Sequence, residues 1–169
     1  MLQLVGSLIL IGSMGSLGLI AAGKLSREAE QLEEVAYGLL VLSKEIIYGH
    51  TRLPRALQLA GKELKGSAAV FFQEAGANIT SKEMTPRLAF QTAMQTIPNW
   101  EAAGAEHVLL RLAEELGVSS SSEQERFLKL AQEEVQALRQ RALDKSKSQG
   151  KVYRWGGFLL GSMLTLLLI

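Results

Sequence analysis

The stretch Ser26-Arg27-Glu28-Ala29-Glu30-Gln31-Leu32-Glu33-Glu34-Val35-Ala36-Tyr37-Gly38-Leu39-Leu40-Val41-Leu42-Ser43-Lys44-Glu45-Ile46-Ile47-Tyr48 places apolar side chains at Leu32, Val35, Leu39, Leu42 and Ile46, stepping by three, four, three and four. That spacing puts all five on one side of a helix and builds a continuous seam for neighbours. Ser26 reads as the N-cap, with Glu28 and Glu30 in a first turn where the macrodipole favours anions. Gly49 marks the stop.

The same punctuation divides the following residues into further helices. Pro54 suits a first-turn position after the turn at Thr51 to Leu53, and a second helix runs to about Leu64, before Gly66. Ser67 opens a third through Phe71 and Phe72 to about Gly76, and Thr85-Pro86 starts a fourth with Leu88, Phe90, Ala93, Met94 and Ile97. Pro98 and Asn99 break it. A fifth begins near Trp100 and carries Val108, Leu109, Leu112 and Leu116 to a cap at Gly117. After the serines at 119–122, Ser122 and Glu125 stand at capping-box spacing. The sixth helix carries Leu128, Ala131, Val135, Leu138 and Ala142, and can run on past Gly150. No segment alternates as a strand does. These patterns predict an all-α protein, a six-helix bundle.

Working outward, all 18 Lys and Arg and all 17 Asp and Glu lie between Lys24 and Arg154. Residues 1–23 and 155–169 are therefore uncharged and apolar. At about 1.5 Å per residue the first reaches roughly 33 Å, enough for a hydrocarbon core of about 30 Å. The second reaches about 22 Å, or about 27 Å if Val152 and Tyr153 are counted and Arg154 snorkels to the headgroups. The expected organisation is a transmembrane helix at 1–23, a cytoplasmic helical bundle with membrane-proximal stems at 24–154, and a short transmembrane helix at 155–169. Lys24 and Arg27 follow the first span, and Lys145, Lys147, Lys151 and Arg154 precede the second, so both flanks place the middle in the cytoplasm. A cleaved signal peptide is the rival reading of the N-terminus, with Ala21-Ala22-Gly23 as its cleavage site. No Lys or Arg precedes the apolar run, and the run exceeds the usual ~7–15 residue core. Gly157, Gly161 and Thr165 share one face of the second segment, and Gly12 with Ser16 offers a shorter version in the first; such small residues allow close helix approach.

Composition excludes several functions. With no cysteine there is no disulfide, thiolate catalysis or sulfur-based zinc site. A net charge of +1 gives no case for nucleic acid. Arg139 to Arg154 nevertheless holds six basic residues against Asp144 alone, which suits an anionic membrane surface. His50 and His107 have no ligand spacing around them. Glu45, Tyr48 and His50 cluster, and a carboxylate beside an imidazole can move protons, but a helix end satisfied by His50 or Thr51 explains them more simply. No phosphate-cradling loop, cofactor site, small-molecule site or enzyme is expected.

The block Glu45-Ile46-Ile47-Tyr48-Gly49-His50-Thr51-Arg52-Leu53-Pro54-Arg55-Ala56-Leu57 resembles the Glu-Ile-x-Tyr-Gly-x-Thr-x-Leu-x-x-Ala block of the stage III sporulation protein AB family. Met1-Leu2 leading into an apolar span, Leu116-Gly117 followed by Gln124, and the Leu-rich tail agree with it over the whole chain. Val118 and serines stand where the family tends to place an acidic residue. The resemblance implies a non-enzymatic part of the mother cell–forespore channel complex, in the mother-cell-derived outer forespore membrane. The helical block is also similar to the cytoplasmic domains of type II secretion F platform proteins. That likeness implies that the bundle docks the sporulation ATPase while the spans meet lipid and other membrane proteins of the complex. Tyr48, His50, Arg52 and Arg55 are the candidate contact, against ordinary solvation of two surface arginines. A helical adaptor of a secretion or pilus-type machine outside sporulation would share the layout.

Overall fold

The computed structural model describes the backbone of residues 2–98, 100, 102, 104–116 and 121–168, and the side chains of these except 2–22, 25, 121 and 149–168. Among the described residues six helices follow one another: α1 (Leu2–Ile47), α2 (Leu53–Glu63), α3 (Gly66–Ser81), α4 (Pro86–Thr96), α5 (Ala105–Glu115) and α6 (Ser121–Leu168). No strand occurs among the described residues, so the protein is all-α as its periodicities imply. The chain forms two compact units, one of 30–140 and one that joins 1–29 to 141–169.

In the unit of 30–140, the α1 seam is realised. Leu32, Val35, Leu39 and Leu42 are buried, and Ile46, near the helix end, is half-buried. Leu128, Ala131 and Val135 of α6 are buried as well. Helix α6 lies antiparallel to α1: Gln132 Nε2 donates to the Leu39 carbonyl at 3.0 Å, and Arg139 Nη2 lies 3.0 Å from Glu33 Oε1, so the partners run in opposite chain directions. Phe71 of α3 packs edge-on against Phe72 and Phe90, with centroids 5.2 Å apart in each case, and Trp100 tilts onto it at the same distance. Such ring pairs add to the area they bury. Ion pairs tie α4 to α5 through Arg87 and Glu114, and α5 to α6 through Arg111 and Glu134.

Small residues set the α2–α3 hairpin. A Cβ on Gly76 would stand 2.7 Å from the Pro54 carbonyl oxygen, so the two backbones touch where no side chain fits. At the other end Gln73 Nε2 donates to the Gly61 carbonyl at 2.9 Å.

Several boundaries differ from expectation. Helix α1 starts at Leu2, not at Ser26, because the apolar run and the charged run are both helical and nothing between them breaks the ladder. Ser26 is therefore an exposed interior residue, and Glu28 and Glu30 do not sit in a first turn. Helix α3 continues past Gly76 to Ser81, where Thr80 Oγ1 and Ser81 Oγ donate to the carbonyls of Gly76 and Ala77 one turn back and the Lys82 N–H donates to the Asn78 carbonyl. Helix α5 begins at Ala105, since Gly104 at φ 85 turns the chain left-handed just before it. Thr85-Pro86 opens α4 as expected, Thr85 accepting from the Leu88 N–H at 3.4 Å. Helix α6 starts at Ser121, within a residue of the expected Ser122 cap, and passes Gly150 unbroken.

In the unit joining 1–29 to 141–169, Ala29 and Ala142 are buried, while Lys24, Arg27, Arg141, Lys145 and Lys147 are exposed. Among the described residues no helix is long and apolar enough to cross a membrane. The side chains of 1–22 and 155–169 lie outside those described, and with them Gly12, Ser16, Gly157, Gly161 and Thr165.

Candidate docking surface at the α1–α2 corner

The block that ends α1 folds back on itself by hydrogen bonds within seven residues. The Tyr48 and Gly49 N–H groups both donate to the Lys44 carbonyl, at 3.0 and 3.1 Å, and the Thr51 N–H donates to the Glu45 carbonyl at 2.9 Å. Thr51 Oγ1 donates to Glu45 Oε2 at 2.8 Å, so one residue is held to Glu45 through both backbone and side chain. Gly49 is needed for room: a Cβ there would stand 2.7 Å from the Glu45 carbonyl oxygen. The left-handed residue is not Gly49 but His50, at φ 49. A non-glycine residue rarely adopts that region, and histidine tolerates it better than most.

Around this knot Tyr48, His50, Arg52 and Arg55 are all exposed. Tyr48 is 79% exposed, the most exposed large apolar side chain among the described residues. Arg52 is the N-cap of α2, in extended backbone at φ −62 and ψ 143, and makes no side-chain cap. Its carbonyl accepts from Ala56 N–H at 2.9 Å. Arg55 stands in the first turn that follows, which carries no acidic residue. Both arginines are exposed and make no ion pair among the described residues. They therefore add two cations to a helix end already positive from its free N–H groups. Exposed Lys44 adds a third from α1.

The corner does not assemble a proton-transfer pair. The Glu45 carboxylate is engaged by Thr51, and among the described residues the His50 imidazole has no carboxylate partner. His107 is exposed on α5, elsewhere in sequence and structure. No cluster of three or more His, Asp or Glu that could hold a metal occurs among the described residues. The Glu45–Thr51 bond escaped sequence reading, although the spacing of a carboxylate and a hydroxyl across a helix-ending glycine was its signal.

The described helices thus present an exposed tyrosine and two exposed arginines where α1 gives way to α2. The family model of stage III sporulation protein AB matches residues 3–169, and the chain belongs to that family. It is 25% identical over 173 residues to stage III sporulation protein AB of Bacillus subtilis (strain 168), covering 100% of both chains. A solved structure of stage III sporulation protein AB matches with a TM-score of 0.61 at 23% identity, over 69% of this chain and 93% of that one. The fold is thus shared, and the family is named for a stage of sporulation rather than for a reaction.

Proposed function

We propose that this protein is a non-enzymatic membrane platform of the mother cell–forespore channel complex, whose bundle docks the sporulation ATPase through the α1–α2 corner. One observation carries the reading: Arg52 at the N-cap and Arg55 in the first turn of α2 stand where the helix dipole disfavours cations. Such residues lower stability by a few tenths of a kcal/mol each, a cost that contact with an acidic partner would offset. The family supports the setting, and the likeness to type II secretion F platform domains supports the ATPase as partner by analogy of fold.

Anchoring follows from the charge pattern. The apolar ends serve as two spans, with Lys24, Arg27, Lys145, Lys147, Lys151 and Arg154 held at the cytoplasmic surface of the outer forespore membrane. The bundle then faces the mother-cell cytoplasm. The spans pack through Gly12 and Ser16, and through Gly157, Gly161 and Thr165, on each other or on other membrane proteins of the complex.

The test is recovery of the purified ATPase by the full chain. Arg52→Glu with Arg55→Glu should lower recovery about tenfold and raise the thermal midpoint slightly, because carboxylates suit a helix N-terminus. Unchanged recovery excludes this corner.

A further inference from the structure

Helix α1 buries its seam on one side, and among the described residues its opposite side is exposed from Glu30 to Tyr48. At about 100° per residue, Glu30, Glu33, Tyr37, Leu40, Lys44 and Tyr48 fall within an arc of about 80°, opposite Leu32, Val35, Leu39 and Leu42. Other flanks of α1 are covered: Gln132 of α6 donates to the Leu39 carbonyl, Phe72 of α3 lies against Gly38, and the Lys65 N–H donates to Glu34. On the opposite side Tyr37 is 47% exposed and Leu40 46%, ahead of Tyr48 at the corner. Two apolar side chains this open on one helix face, continuous with an aromatic, form a patch rather than scattered surface residues.

Charge along this face changes sign. Its stem end carries Glu30 and Glu33, both exposed, with Arg139 on Glu33. Its corner end carries Lys44, and past that end the start of α2 adds Arg52 and Arg55, all three exposed and without an ion pair among the described residues. The run from Tyr37 to Tyr48 is about 16 Å, three turns of helix. A second copy anchored in the same membrane would pair this face in parallel, setting Lys44 against Lys44, so a copy of the chain does not suit it.

We infer that the docking surface extends along α1 from Tyr48 to Tyr37, and that its occupant is an amphipathic helix with apolar side chains over Tyr37 and Leu40 and carboxylates at the end meeting Lys44 and Arg52. The inference rests on the platform reading and gives the partner's contacting element its chemistry and direction.

Full-length chain in detergent, with Leu40→Glu and, separately, Tyr37→Ala, is tested for recovery of the purified ATPase beside the corner double reversal. Leu40→Glu should lower recovery at least tenfold with an unchanged thermal midpoint, since Leu40 is not a core residue. If the corner reversal lowers recovery and Leu40→Glu does not, the extension is wrong and the platform reading stands. If neither lowers it, both fail. A photoreactive benzoylphenylalanine at position 40 supplies the second readout. A cross-link to an ATPase helix bearing Asp or Glu beside its apolar face supports the inference; one to another copy of this chain, or to a loop, overturns it.

Discussion

His50 shows how one residue carries two obligations. It takes the left-handed backbone that follows α1, and its ring is exposed, as are Tyr48 and Arg52 two residues to either side in sequence. Such backbone in a non-glycine residue costs about 1–3 kcal/mol, part of which glycine would return as lost chain entropy. His50→Gly should therefore raise the stability of the protein by about 1 kcal/mol in thermal unfolding, and a lowered midpoint would show that the imidazole compensates for its geometry. The corner itself was legible because Tyr, Gly, His and two Arg crowd a helix stop. Its left-handed residue was not. Glycine is the usual choice for that conformation, but here Gly49 is spent on clearance from the Glu45 carbonyl, and the turn falls one residue later.

Helices were legible wherever an apolar three-four pattern met a stop, and their ends were not where the stop lay in backbone geometry. Thr85-Pro86 announces α4, but nothing near Trp100 announces that α5 waits for Gly104. Gly76 reads as a helix end and is instead an interior contact, because what it satisfies is the approach of α2 rather than a turn. Gly76→Ala should accordingly cost about 2 kcal/mol through overpacking, whereas Gly23→Ala, with nothing within 4 Å of its Cβ position, should gain roughly 0.5–1 kcal/mol of helix stability. Thermal unfolding of the two variants checks this, and equal shifts would contradict the hairpin packing. The exposed face of α1 went unread for a related reason: Tyr37 and Leu40 look like core residues in a list, and only their angle to the buried seam sets them apart.

For the molecule entire, the orientation proposed above rests on the placement of charge, and the bundle on its buried apolar seams. In a chain free of cysteine, a single cysteine placed among the serines at 119–122 should react with an impermeant maleimide only after the membrane is opened. Labelling of intact cells would reverse the orientation proposed for both spans. The antiparallel closure of α6 on α1 has a consequence for how the protein is made. Gln132 meets the Leu39 carbonyl across 93 residues, so at about 5–20 residues per second α1 leaves the ribosome roughly 5–20 s before its partner exists. During that interval the α2–α3 hairpin, whose contacts are local, can already fold. Leu32, Val35, Leu39 and Leu42 meanwhile lack the cover that Leu128, Ala131 and Val135 of α6 bring, so the α1 seam is the last part of the core to close.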